Sequence, residues 1–199
     1  MDQHAQQEQY AEQFPDQFNE EELLRAAQRG QQEAFGFLYE THVERVYRYL
    51  LVRLGQPADA EDVTAEVFIR AMKGLPSYKS KGTPFIAWLY RIAHNQAVNH
   101  LKKRSRRPET PLEDIVAASD NPAEEALQKA SFSEAIQAAE GLTDLQRQVL
   151  SLRFAGELSI SETAKVMKRT DGAVKFLQHS ALRALRRILE QQGAVSHGS

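Results

Sequence analysis

Apolar residues recur at spacings of three, four and seven through most of this chain, and no alternating pattern competes with them. Leu23, Leu24, Ala27, Ala34, Phe35, Leu38, Tyr39, Val43, Val46, Tyr47, Leu50 and Leu51 set the period. Residues so spaced share one face of a helix, whereas a half-buried strand repeats every two. The expected fold is all-α: two small helical domains joined by a flexible acidic linker, the C-terminal one a helix-turn-helix. Glycine and proline divide the helices. Gly30 separates the first two, and Leu54-Gly55-Gln56-Pro57 ends the second, because Gly suits a C-cap and Pro cannot continue the ladder. A third helix is expected from about Asp59 to Lys73, with Val63, Val67, Phe68 and Ala71 as its stripe. Leu75 to Pro84 reads as a loop, with two prolines and a glycine. A fourth helix follows from about Phe85 to Lys103. Beyond Pro108 and Pro111, residues 108–122 read as the linker. Ala123 to Glu140 is the next helix. Thr143 caps one through Phe154, Ser159 or Ser161 caps Glu162 to Met167, and Thr170 caps a last helix to about Gln191. The expected organisation is a disordered extension at 1–19, domains at 20–107 and 123–191, and a disordered tail at 192–199.

The net charge of −2 conceals a strong asymmetry. Residues 1–66 hold 14 acids and 5 bases, and residues 67–199 hold 13 acids and 20 bases. Within the basic half, residues 85–107 carry six bases and no acid, and residues 165–187 carry seven bases against Asp171 alone. Between them, residues 108–144 carry nine acids and one base. Two basic patches flanking an acidic segment point to two sites for a polyanion. The chain has no cysteine, so disulfides, thiolate zinc sites and a cysteine nucleophile are excluded, and a reducing compartment fits. No apolar run approaches the ~20 residues of a membrane span, and Met1 to Glu22 lacks the basic residues of a signal peptide. The expected location is the cytoplasm, without membrane insertion.

Residues 142–189 carry the strongest local pattern. A helix, a short helix, the turn Lys168-Arg169-Thr170 and a longer helix make a helix-turn-helix arrangement. Ala164 is small enough for a close helix crossing, and Ile160, Ala164, Val166 and Val174 are the expected core between the two helices. The start of the second helix of such a motif enters the major groove, and here it carries Lys168, Arg169, Thr170 and Lys175. The bland reading is a helical hairpin with a solvated basic face. The second pattern is the helix Phe85–Lys103, whose end runs Lys102-Lys103-Arg104-Ser105-Arg106-Arg107. Arg91, Asn95 and Asn99 share one face, and Tyr78 and Trp88 lie nearby. Cations track a phosphate backbone, while aromatics and amides handle unstacked bases; for Trp88 the core is the favoured reading, because aromatics at helical spacing usually pack there. Asp59, Glu61, Asp62 and Glu66 open a helix, where the dipole alone accounts for acids. The six histidines show no metal-ligand spacing, there is no phosphate-binding glycine loop, and Ser159 and Ser161 are better read as caps than as nucleophiles. Neither a metal, nor a cofactor, nor enzymatic activity is expected.

Three segments in order resemble the extracytoplasmic-function group of sigma factors. DAEDVTAEVFIRAM (Asp59–Met72) is similar to the segment that docks on polymerase clamp helices. FIAWLYRIAHNQAVNHLKKRSRR (Phe85–Arg107) is similar to the segment that melts and reads the minus-10 element. Leu142–Leu189 resembles the segment that reads the minus-35 element. The resemblance implies contacts to core polymerase from Asp59, Asp62, Glu66 and Arg70. It implies minus-10 contacts from Tyr78, Lys79, Arg91, Asn95, Asn99, Lys102 and Lys103, with a base captured at the Leu75–Pro84 loop. It implies minus-35 contacts from Lys168, Arg169, Thr170, Lys175, Gln178, His179 and Arg183. An anti-sigma factor is the further partner it implies. The recognition helix departs from the family at Phe176, Leu177 and Ser180, where many members carry a small polar residue and arginines. A stand-alone helix-turn-helix regulator is the alternative, but it leaves Asp59–Met72 idle; a protein-binding adapter leaves both basic patches idle.

Overall fold

A computed structural model describes residues 19–80, 82–105 and 134–196. Helix α1 (Glu20–Gln28) starts at Asn19, whose side chain accepts from the Glu21 amide, and carries three acids in its first turn, where the helix dipole favours them. Gly30, at φ 91°, turns the chain into α2 (Gln32–Leu54). Gly55 ends α2 in the left-handed conformation at φ 80°, and Pro57 opens α3 (Pro57–Gly74). A single 3₁₀ turn, Leu75–Ser77, leads to the loop before α4 (Phe85–Arg104), whose last turn carries Lys102, Lys103 and Arg104. Helix α5 is described over residues 134–140. It is followed by α6 (Asp144–Leu150), a π turn (Ser151–Ala155), α7 (Ile160–Met167) and α8 (Asp171–Ser196). Capping boxes start α6 (Thr143 with Gln146) and α7 (Ser159 with Glu162).

The all-helical expectation holds among the described residues. Ser159, not Ser161, is the α7 cap. The helix expected through Phe154 gives way after Leu150 to the π turn, and α8 runs beyond Gln191, so that residues 192–196 of the expected tail are helical. The linker at 108–122, the extension at 1–18 and most of the helix expected from Ala123 lie outside the described residues.

Helices α1 to α4 bury Val46, Tyr49, Leu50, Val67, Leu89, Tyr90 and Ala93 completely. A second cluster joins Leu142, Val149, Ala164, Val174 and Ala181 of the C-terminal helices. The two clusters are not separate cores. Leu152, Leu158 and Val166, from the C-terminal unit, pack into the first cluster, and Val52 of α2 touches both. Val166 therefore faces the neighbouring unit and not, as the sequence suggested, the crossing between α7 and α8.

The π turn makes this junction. The Gly156 amide donates to Ser151 O at 2.7 Å, and Tyr90 Oη donates to Gly156 O at 3.0 Å. A Cβ on Gly156 would stand 2.9 Å from both Leu152 O and the Tyr90 ring, closer than real contacts allow. Gly156→Ala is expected to cost about 1–3 kcal/mol by overpacking. A thermal melt should fall by about 5 °C for a chain of this size; an unchanged melt would mean that Tyr90 moves aside freely.

Candidate nucleic-acid interface

Three exposed surfaces carry the residues singled out from the sequence. The first is on α4. Arg91, Asn95, Asn99, Lys102 and Lys103 are all exposed, at the spacing of one helical face, while Ala93, Gln96 and Ala97 on the other side are buried. Gln96 Nε2 donates to Glu66 Oε2 at 2.6 Å, tying α4 to α3.

At the N-terminal end of this face lies a cavity of about 430 Å³. Tyr78, Lys79, Trp88 and Arg91 line it from the N-terminal unit, and Lys165 and Val166 from α7. Trp88 is half-buried. Its ring sits 4.8 Å from Tyr78 and 5.4 Å from Phe85, so it belongs both to the core edge and to the cavity wall. Gln28 Nε2 donates to Leu75 O and Tyr78 O, which holds the loop bearing Tyr78 and Lys79 against α1. Burial raises the Tyr78 phenol above its ordinary pKa, and the neighbouring Ser80 only partly offsets this, so the ring stays neutral at physiological pH. Lys165 Nζ also donates to Gly82 O at 2.9 Å, joining α7 to the loop before α4.

The second surface is on α3. Asp62, Glu66 and Arg70 are exposed opposite the buried Val63 and Val67. Asp59 differs: it is half-buried and pairs with His100 Nε2 at 3.1 Å and Arg104 Nη1 at 3.5 Å, stapling α3 to the basic end of α4. Ile69 and Met72, about half exposed beside these charges, were not singled out from the sequence. Their signal was available: the helical stripe uses Phe68 and Ala71, which turns both neighbours outward.

The third surface is the helix-turn-helix. Lys168 caps α7 in the left-handed conformation at φ 54°, and Lys168, Arg169 and Thr170 are exposed in the turn. Thr170 Oγ1 accepts from the Ala173 amide at 3.2 Å and so caps α8. Lys175, His179 and Arg183 are exposed along α8. Gln178 is half-buried, and its Oε1 accepts from Arg153 Nε at 2.9 Å, leaving its NH₂ group to donate elsewhere. Arg153 also donates to Leu158 O. Of the family departures, Leu177 packs into the second cluster, Ser180 accepts from Gln146, and Phe176 points outward.

Sequence reasoning missed the contact between the two units. Arg53 of α2 is fully buried, with Nη1 donating to Asp144 O at 3.0 Å and Nη2 to Asp144 Oδ1 at 2.7 Å. Arg45 donates to Gly156 O, and Arg48 pairs with Glu157 at 3.1 Å. An arginine inside the apolar run Leu50-Leu51-Val52-Arg53-Leu54 was the available sign that this stripe meets a polar partner.

His94 of α4 accepts at Nδ1 from Gln148 Nε2 of α6 at 3.1 Å. Burial, then the Arg53 charge, lowers the His94 pKa, and Asp144 opposes them. Acceptance at Nδ1 requires a neutral ring. His94 therefore stabilises docking fully above about pH 6.5, its ordinary value, and the contribution falls as pH drops toward the lowered folded value. Cleavage by a protease between the units should accelerate from pH 7 to pH 5.5 in the wild type and change less in His94→Asn. Equal acceleration in both would assign the effect elsewhere.

Comparison with known proteins agrees with this layout. Residues 38–107 match the family model of sigma-70 region 2, and residues 138–187 that of sigma-70 region 4. The ECF RNA polymerase sigma factor BldN of Streptomyces coelicolor is 37% identical over 171 residues, which cover 84% of this chain but 65% of that relative. The ECF RNA polymerase sigma factor SigD of Mycobacterium bovis is 32% identical over 171 residues, covering 82% of this chain and 81% of the relative. The fold resembles that of the sigma factor RpoE from Bartonella quintana, solved with the anti-sigma factor NepR. Its TM-score is 0.64 at 19% identity, covering 78% of this chain and 96% of that one. The chain belongs to the sigma-70 family of RNA polymerase sigma factors, in the extracytoplasmic-function group.

Proposed function

We propose that this chain directs promoter-specific initiation by holding core RNA polymerase and two promoter elements at once, and that it performs no catalysis of its own. The observation that carries this reading is the distribution of exposed charge over its surface. Two cation-bearing faces stand on different helical units, and the acids Asp62 and Glu66 are exposed on α3. Asp62, Glu66 and Arg70 contact core polymerase, and Asp59 supports that face by anchoring the end of α4. Tyr78, Lys79, Arg91, Asn95, Asn99, Lys102 and Lys103 hold the melted minus-10 strand: the lysines and arginine meet phosphates, the asparagines meet base edges, and the cavity beside Tyr78 and Trp88 takes an unstacked base. Lys168, Arg169, Thr170, Lys175, Gln178, His179 and Arg183 hold duplex at the minus-35 element. Two modest sites on one chain reinforce each other through effective concentration once polymerase fixes their separation. The protein works in the cytoplasm, where promoter DNA and polymerase are found. An anti-sigma factor, of the kind bound to the Bartonella quintana relative, is its regulating partner.

The test is a pull-down of purified core polymerase with the tagged full chain, followed by DNA binding with and without core enzyme. Co-purification, and promoter binding that requires core enzyme, are expected. Tight sequence-specific binding by the chain alone, with no retention of polymerase, would support the stand-alone regulator instead.

A further inference from the structure

Phe176 is 73% exposed on α8, the largest exposure among the large hydrophobic side chains of the described residues. Leu177 beside it turns into the second cluster, so the outward position of Phe176 is imposed by the helix and is not a fraying end. Its surroundings on the outer face are polar and carry more cations than acids: Lys175 precedes it, His179 and Arg183 follow at three and seven residues, and Lys168, Arg169 and Thr170 stand at the helix start with one acid, Asp171. Such a cationic rim suits a phosphate backbone. An aromatic ring displayed to solvent inside it has nothing to gain from phosphate.

The major groove offers one apolar feature, the C5 methyl of thymine. Phe176 lies in the second turn of α8, the part of a recognition helix that reaches base edges. We propose that Phe176 reads a thymine methyl in the minus-35 element, so that sequence choice at that position comes from an apolar contact and not from a hydrogen bond. This rests on the assignment of α8 to minus-35 duplex made above. It gives the departure from the family's small polar residue a function: the ring occupies depth in the groove that a small side chain leaves open, and it favours thymine over cytosine, whose C5 carries only hydrogen.

The experiment uses the full chain bound to core polymerase and a duplex pool randomised over the minus-35 window. Sequencing the retained duplexes should show a thymine enriched at one position by the wild type and not by Phe176→Ala. An enriched duplex is then synthesised with deoxyuridine at that position, which removes only the methyl. The wild type should bind the uracil duplex about fourfold more weakly, on the order of one buried methyl. Phe176→Ala should bind both duplexes equally, and Phe176→Leu should retain part of the difference. Because Phe176 is exposed, these variants are expected to melt like the wild type, and a melt confirms that they fold. Equal binding of thymine and uracil duplexes by the wild type overturns the inference while leaving the minus-35 assignment intact. An unchanged thymine-to-uracil ratio in Phe176→Ala, with weaker retention on core polymerase, overturns it in favour of a protein contact. If no duplex is enriched at all, the assignment of α8 to the minus-35 element fails, and the inference fails with it.

Discussion

Asp62→Lys combined with Glu66→Gln is expected to release the chain from core RNA polymerase, lowering co-purification roughly thirtyfold or more. That is the scale of losing about 2 kcal/mol or more when a charged partner at an interface is removed. The design of the variant follows from the difference between the two acids. Asp62 is exposed and makes no ion pair among the described residues, so reversing it leaves the fold alone. Glu66 accepts from the buried Gln96 at 2.6 Å, and reversing it would confront that amide with an ammonium group. Glutamine at position 66 removes the charge and keeps an acceptor for Gln96. Ile69 and Met72 flank the acids and stay exposed, which gives the face an apolar component that the charges orient. Each single variant should weaken binding less than the pair, and the helical circular-dichroism signal should not change. Retention of polymerase by the double variant at the wild-type level would remove α3 from the docking surface.

What could be read from the sequence followed from periodicity and punctuation. The limits of α2 were legible because Gly30 and Gly55 both adopt positive φ, and α8 was legible from Thr170, which caps it. The exposed stripe Arg91, Asn95, Asn99 was legible because one helix sets its own faces. The contact between units was not, because nothing in a helical period says which neighbour a buried stripe will meet. Val166 illustrates this: its spacing with Ile160 and Ala164 marks it as apolar-facing, yet it is the N-terminal unit that it faces. Asp59 shows the same limit for charge. Its place in the first turn of α3 suits the dipole, but only the fold brings His100 and Arg104, some forty residues on, to its carboxylate. The π turn was not legible, because its bond from the Gly156 amide to Ser151 O, five residues back, follows no spacing that the apolar pattern displays.

The second large effect is expected at Arg53 and Asp144. The Arg53 side chain is wholly buried, whereas the Asp144 side chain is 63% exposed. Removing the carboxylate in Asp144→Ala leaves a buried guanidinium with the Asp144 backbone oxygen as its remaining acceptor in this contact. Loss of one partner of a fully buried pair costs about 3–5 kcal/mol, and the exposure of Asp144 reduces that to roughly 1–2 kcal/mol. Arg53→Met, which removes the charge but fills similar space, should cost less, because the desolvation of Arg53 is removed together with its partner. With Arg53→Met already present, Asp144→Ala should add little beyond the loss of a helix-start acid, a few tenths of a kcal/mol. That acid is lost in both arms of the cycle, so it cancels from the coupling energy. The reporter is built in: Trp88 is the single tryptophan, and it lines the cavity that Lys165 and Val166 close from α7. When the units separate, Lys165 leaves Gly82 and the indole meets more water, so Asp144→Ala should shift its emission to the red and enlarge the hydrodynamic radius. Arg53→Met should do both to a smaller extent. An Asp144→Ala protein with wild-type emission and radius would show that Leu152, Leu158 and Val166 hold the units together without the ion pair. Arg53 would then be a buried charge tolerated by the fold and not a latch between its two units.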